Sequence, residues 1–492
     1  MTQNEYLKMI DEVIQNGPYS DTWASLSGRK TPDWYYGGKF GIFIHWGIYS
    51  VPAYGNEWYS RNMYVRGSKE YRHHIETYGN HKEFGYKDFI PMFKGERFDS
   101  AAWVDLFEKS GAKFVMPVAE HHDGFAMYDT EFNRWNAKNM GPKQDVVGAL
   151  KAECEKKGLV FCASTHRAEH YFFMNGGRTF DSDVNDRDYQ DFYGPAFYDE
   201  KLDGNAVHLT TESIDTIGPD EAYLKDWLCR TCELIDKYRP KIVYFDWWIQ
   251  NLAFKPYLKK LAAYYYNRAV EWDEEVTIDY KHNAYPPGTA TYDVERGALD
   301  GISPVPWQTD TAIGNTSWGY IENNDFKTAY DIITTLIDVV SKNGMLLLNV
   351  GPKPDGTITD EETNVLLKTG AWLAANGEGI YETSPWRIYR EGLHKADSGM
   401  FSEGKIAYDE KDFRFTYKKG AVYAFQMKAP TGETATIESF HSDRCGCGVR
   451  NVTVLGDGIV KDFMMDGKGL HITLDKKLSL IHISEPTRHA QI

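Results

Sequence analysis

Residues 241–248, KIVYFDWW, pass from a lysine through four apolar or aromatic positions to a carboxylate, Asp246, followed by two indoles. A short β-branched and aromatic run of this kind reads as a buried strand, and its polar residue falls at the C-terminal end. Four other stretches follow the same plan. KFGIFIHWG at 39–47 carries His45, AKFVMPVAEHH at 112–122 ends on His121 and His122, GLVFCASTH at 158–166 on His166, and VTIDYKH at 276–282 carries Lys281. Helical patterns over 144–157, 223–238 and 254–274 precede three of these runs. Strands alternating with helices imply a parallel sheet. Polar residues gathered at the strands' C-terminal ends point to an α/β fold of the (β/α)8-like TIM-barrel type, whose sites are built at that face.

After about residue 384 the texture changes. KIAYDE, FRFTYKK, AVYAFQMK, TATIESF, NVTVLG and LHITLD alternate over short spans without a helical period, the mark of an antiparallel β-sandwich. The join lies in GEGIYETSPW at 377–386. The expected organisation is a barrel over 1–384 and a C-terminal β-sandwich over 385–478. Residues 479–492, SLIHISEPTRHAQI, lose the alternation and read as a frayed tail or a cloning-derived extension.

Across 492 residues, 55 Lys and Arg stand against 71 Asp and Glu, a net charge of −16 that repels polyphosphate and anionic lipid. Neither nucleic acid nor a membrane surface is an expected partner. Fourteen Trp and 33 Tyr exceed what aliphatic core filling needs, and rings with polar tips suit sugars. The six cysteines are too sparse for a disulfide scaffold. A zinc site from Cys229, Cys232, Cys445 and Cys447 is disfavoured because the second pair lacks knuckle spacing. The N-terminal MTQNEYLKMIDEVIQNG is acidic and polar where a signal peptide would be basic and then apolar, and no run of eighteen apolar residues occurs. The expected location is the cytoplasm, or outside the cell after loss of a leader.

Histidines at barrel mouths admit three readings: hydrogen-bonded core residues, metal ligands, or contacts to a ligand. His121 and His122 are adjacent, so along a continuing strand they would point to opposite faces. Both can face one ligand only once the chain turns at Asp123-Gly124. Asp246, beside Trp247 and Trp248, is either a helix cap or ion-pair partner or the nucleophile of a retaining glycosidase. The second reading requires another carboxylate about 5–5.5 Å away. Glu295 in TYDVERG, read as a long loop past the strand that follows Asp246, is the best placed, with Asp293 the runner-up in the same loop. Glu57 and Trp58 could grip a sugar's hydroxyls and cover its apolar face, or simply pack a loop. Trp307 and Trp318 carry the same ambiguity. NGMLLLNVGPKPDG at 343–356 reads as a structural strand and turn, with Asn349 near the site.

FGIFIHWGIYSVPAYGNEWYS, EHHDGFAMYD, VYFDWW, PWQTDTAIGNTSWGY and SKNGMLLLNVGPKPDGTI followed by GAWLAANGEGIY resemble, in order, the motifs of glycoside hydrolase family 29, the α-L-fucosidases. The resemblance spans about residues 34–386. It implies a barrel followed by a β-sandwich, and a retaining double displacement on terminal L-fucose of fucosylated oligosaccharides or glycoconjugates, with no cofactor and no metal. By position it makes Asp246 the nucleophile and gives the fucosyl ring to His45, Glu57, Trp58, His121 and His122, with Trp247 nearby. Glu295 is the matching acid/base. Where relatives often carry an arginine after the strand that follows the nucleophile, this chain offers Lys281, which lacks the bidentate fork. His166 or His170 stands where relatives place an aromatic contact, and Trp318 closes the set. Two rival readings are a metal-dependent hydrolase with His45, His121 and Asp246 as ligands, and a non-catalytic sugar-binding barrel. Oligomeric state is not legible.

Overall fold

A computed structural model describes residues 1–194, 218–430, 432–441, 448–456, 459–474 and 488–491. Its first unit is a parallel barrel built from β1 (Phe40–Ile44), β2 (Phe114–Glu120), β3 and β4 (Val160–Phe161 and Ala163–Thr165, two segments of one stave), β5 (Ile242–Phe245), β6 (Thr277–Tyr280), β7 (Thr291–Asp293), β8 (Trp307–Ala312) and β9 (Gly344–Val350). The order runs β1-β9-β8-β7-β6-β5-β4-β2, and β1 pairs with β2 to close eight parallel staves. β1 is buried at every position, and each such Ile or Phe contributes about 1.5–3 kcal/mol through burial.

Local chemistry sets the crossover helices. Val146–Lys157 starts where Asp145 accepts from Gly148 N at 2.9 Å and stops at Gly158, whose φ of +69° suits a residue without Cβ. Glu221–Tyr238 is capped by Asp220, and Lys255–Trp272 carries proline in its first turn. Cys229 and Cys232 lie buried inside the first of these two as free thiols, while Cys445 and Cys447 fall outside the described residues.

Two staves differ from the sequence expectation. TYD at 291–293 reads as loop and WQTDTA at 307–312 carries no apolar run, yet both are barrel strands. Their polar side chains point into the barrel and find partners there: Gln308 Nε2 donates to Asp293 Oδ1 at 2.7 Å, and Tyr244 Oη of β5 donates to Asp310 Oδ2 at 2.9 Å. An interior filled by paired polar groups escapes a search for hydrophobic strands.

Beyond Asn376 the chain forms antiparallel sheets. β10 (Ser384–Glu391), β11 (Phe413–Lys418), β12 (Ala421–Gln426), β14 (Thr453–Val454) and β17 (Arg488–Gln491) make one, ordered β10-β11-β12-β17-β14. β13 (Thr434–Ile437), β16 (Leu470–Leu474) and β15 (Val460–Met465) make the other. Phe413, Phe415, Phe440, Leu470 and Ile472 form their common core. Residues 488–491, left out of the fold on sequence grounds, pair with β12 and β14, because main-chain pairing does not require an alternating side-chain pattern.

Candidate active site

His45, Glu57, Trp58, His121, His122, His166, Asp246, Trp247, Lys281, Glu295 and Trp318 all line one cavity of about 710 Å³ at the C-terminal mouth of the barrel. β2 ends at Glu120, so the two adjacent histidines follow the strand instead of continuing it. The turn they need is built by Asp123, whose Oδ1 accepts from Phe125 N at 3.1 Å, and by Gly124 at φ +79°. A Cβ on Gly124 would meet the His170 ring at 2.5 Å. His170 itself donates from Nδ1 to the His122 carbonyl at 2.8 Å, so it supports the turn from outside the cavity.

Asp246 is the centre of charge. Lys281 Nζ lies 3.1 Å from its Oδ1, and His122 Nε2 and His166 Nδ1 lie 3.3 and 3.2 Å from its Oδ2. Burial pushes this carboxyl up, but Lys281 with the two histidines outweighs burial and holds it well below the usual carboxylate range. Lys281 Nζ also donates to Glu295 Oε2 and lies 3.4 Å from Asp310 Oδ2, so one buried ammonium serves three carboxylates. Burial works against its charge, yet Asp246, Asp310 and Glu295 raise its pKa well above that of a free lysine. An ammonium without a fork thus meets several partners as a point charge.

Glu295 lies two residues past β7, and Trp247 Nε1 donates to its Oε2 at 2.6 Å. Burial first, opposed by Lys281 and reinforced by Asp246 and Asp310, raises the Glu295 carboxyl to about 7. Asp293, the runner-up, is fully buried on β7 and spends Oδ1 on Gln308 within the barrel, away from the cavity lining. Trp307 likewise points away, its Nε1 donating to Lys342 O at 2.9 Å. Trp248, His282 and Arg296 all hold positive φ (+81°, +55° and +42°), immediately after Asp246-Trp247, Lys281 and Glu295. Such non-glycine conformations cost of order 1–3 kcal/mol and here sit beside the charged cluster.

The remaining residues present hydrogen-bonding edges. Asn349 Nδ2 donates to Trp318 O at 2.7 Å, so Asn349 Oδ1 accepts from His45 Nδ1 at 2.6 Å. Burial and the neighbouring His166 keep His45 neutral, which leaves its Nε2 as an acceptor. Among the described residues, His121 Nδ1 is buried without a hydrogen-bond partner. Glu57 Oε2 accepts from Ser317 Oγ at 3.0 Å and Trp318 N at 2.9 Å, tying the 317–318 loop to the first strand's loop. The Trp318 ring lies against His45 at 5.3 Å, and Trp58 stands edge-on to His122 at 5.8 Å.

Among the described residues, His45 with His121 and His166, and His122 with His166 and Asp246, bring ligand atoms within 4.8 Å of one another. The set His45, His121 and Asp246 is not one of these groups. In the second group the converging atoms are His122 Nε2, His166 Nδ1 and Asp246 Oδ2, and the Lys281 ammonium, 3.1 Å from Asp246 Oδ1, sets a positive charge beside any cation held there. This donor set suits hydroxyl recognition better than an ion.

Several site residues were not legible in the sequence. Asp310 sits mid-strand in β8, and Tyr244 precedes Asp246 by two, where strand alternation places both on one face. Glu169, fully buried, pairs with Arg61 at 3.0 Å and lies 3.5 Å from His122 Nδ1. Burial lowers the tendency of His122 to charge, but Glu169 and Asp246 overcome it and raise its pKa. Phe401, from beyond the barrel, also lines the cavity, and nothing near it in sequence signals that role.

Residues 7–378 match the family model described as Alpha-L-fucosidase. The chain is 30% identical over 382 residues to the tissue alpha-L-fucosidase of Rattus norvegicus, covering 76% of this chain and 74% of the relative. It is 28% identical over 466 residues to the human tissue enzyme, covering 93% and 88%. The crystal structure of Thermotoga maritima alpha-fucosidase in complex with fucose superposes with a TM-score of 0.73 at 29% identity, covering 96% of this chain and all of that one. On fold, cavity and sequence together, the chain belongs to the alpha-L-fucosidase family of glycoside hydrolases.

Proposed function

We propose that the protein is a retaining, exo-acting α-L-fucosidase that releases terminal L-fucose from fucosylated glycans by double displacement, with Asp246 as nucleophile and Glu295 as acid/base. The observation that carries this reading is the pair of carboxylates on one ammonium with opposite titration. Asp246 is held anionic, while Glu295 is raised to about 7. Two oxygens that share one nitrogen lie within two hydrogen-bond lengths, at most about 6 Å, which matches the retaining spacing better than the inverting one.

L-Fucose enters with its hydroxyls toward His45, Glu57, His121 and His122 and its apolar face toward Trp58 and Trp318. Asp246 attacks C1 while Glu295 gives its proton to the leaving oxygen, forming a fucosyl ester. Esterification removes the charge on Asp246 that helped hold the Glu295 proton. Glu295 then accepts a proton from water as water attacks C1, and fucose leaves with its configuration retained.

Hydrolysis of an aryl α-L-fucoside by wild type, Asp246→Ala and Glu295→Ala, each with added azide, tests the assignment. Asp246→Ala is expected to be inactive and to regain turnover with azide, giving the β-fucosyl azide. Glu295→Ala is expected to keep its burst on an activated leaving group and to give the α-azide. A wild type inactive on both aryl fucosides and fucosylated oligosaccharides overturns the reading.

A further inference from the structure

Beside the first cavity lies a second of about 620 Å³, between the barrel and residues 394–408, which join β10 to β11. The two share Arg296, Asn315 and Phe401. Phe401 stands on the rim between them with 61% of its surface exposed. Its ring is close to parallel with Trp247, at 14° and 6.1 Å between centroids, and Trp247 is the residue that donates to Glu295.

The main chain fixes this ring. Phe401 N donates to Glu295 O at 2.8 Å, Gly399 N to Ala298 O at 2.8 Å, and Glu403 N to Arg296 O at 2.9 Å. Phe401 itself holds φ +56°, a strained conformation for a residue with Cβ that these bonds maintain. A segment from outside the barrel is therefore latched onto the loop that carries Glu295, with an aromatic face left open.

On the reading of Glu295 as acid/base, the departing group leaves past Glu295 and Trp247 toward Phe401. We infer that the second cavity is the leaving-group subsite, and that it takes a neutral saccharide whose first ring lies on Phe401. A pyranose offers an apolar C–H face to such a ring. Hydroxyls beyond it meet a charge-paired rim: Glu403 lies 3.2 Å from Lys327 and 3.6 Å from Arg296, and accepts from Thr311 Oγ1 at 2.6 Å. Glu403 alone faces two cations, but the cavity lining as a whole carries four basic and four acidic side chains, so it offers hydroxyls hydrogen-bonding groups without the net field that would select an anionic glycan.

The test compares α-L-fucosyl fluoride, which has no sugar leaving group, with fucosylated trisaccharides of lactose and N-acetyllactosamine. For Phe401→Ala the trisaccharide kcat/KM is expected to fall at least about tenfold further than the fluoride kcat/KM, mostly through KM, and Phe401→Trp to recover it. Ala407→Trp, which fills the second cavity from its lining, is expected to show the same selective loss. Equal losses on both substrates, or none, overturn the subsite, as does a wild type that cleaves the fluoride but none of the trisaccharides. A wild type inactive on the fluoride as well fails the fucosidase reading itself.

Discussion

Lys281 places its ammonium nitrogen 3.1 Å from Asp246 Oδ1, at a position where it also donates to Glu295. This single cation keeps the proposed nucleophile charged against its burial. Lys281→Met is therefore expected to cut kcat/KM on an aryl fucoside by about 10²-fold or more. The acid limb of the pH profile should move up by at least about one pH unit, since each unit corresponds to about 1.4 kcal/mol of lost stabilisation of the anion. An acid limb that stays in place would show that Asp246 does not depend on this lysine.

Glu295 works as an acid only while protonated, and its carboxyl is raised from 4.5 to about 7. The acid form is thus present below about pH 7 and lost as pH rises through that value, so kcat/KM should fall about tenfold per pH unit above it. Trp247 Nε1 donates to Glu295 Oε2, and such a donor favours the anion. Trp247→Phe should shift the basic limb upward, read from the same profile.

Glu57 ties the 317–318 loop in place through Ser317 Oγ and Trp318 N. Hydrogen bonds to a charged acceptor are worth about 1.5–3 kcal/mol. Glu57→Gln should lower kcat/KM by about ten- to a hundredfold, chiefly through KM for the fucosyl ring. A variant with wild-type KM would separate Glu57 from sugar binding.

Asp338, on the barrel helix Ala329–Ser341, lies 2.6 Å from Lys342 Nζ and 2.5 Å from Arg414 Nε of β11, joining barrel to sheet. Burial raises its carboxyl, but Lys342 and Arg414 outweigh this and lower it below 3.8. Asp338→Ala leaves two buried cations and should cost about 3–5 kcal/mol, seen as a lower thermal midpoint. Its contribution is complete above about pH 4 and is lost as pH falls through the lower folded value, so wild type and variant should converge in acid.

The staves β1, β2, β3–β4, β5 and β6, and the polar residues at their ends, were readable because each is an apolar run closed by a charged or imidazole side chain, and β9 was readable as an apolar run alone. That local pattern, with the family motifs, led to the barrel and to a short set of residues including Asp246, His45 and His122. β7 and β8 were not readable, since they carry polar side chains that bond to residues of other staves, as Gln308 does to Asp293. The choice of Glu295 over Asp293 likewise needed the fold: two residues along the chain separate a side chain in the cavity from one sealed inside the barrel.

What the sequence by itself determined is the order of the apolar strands and of the helices between them, and the residue types at those strands' ends, because both follow from near neighbours in the chain. Only the tertiary structure decided which carboxylates share Lys281, how Glu169 reaches His122, and that Phe401, more than a hundred residues beyond Glu295, stands at the cavity mouth. Charge coupling and burial act through space within a few ångströms, and no local pattern records which distant residues closure of the barrel brings that near.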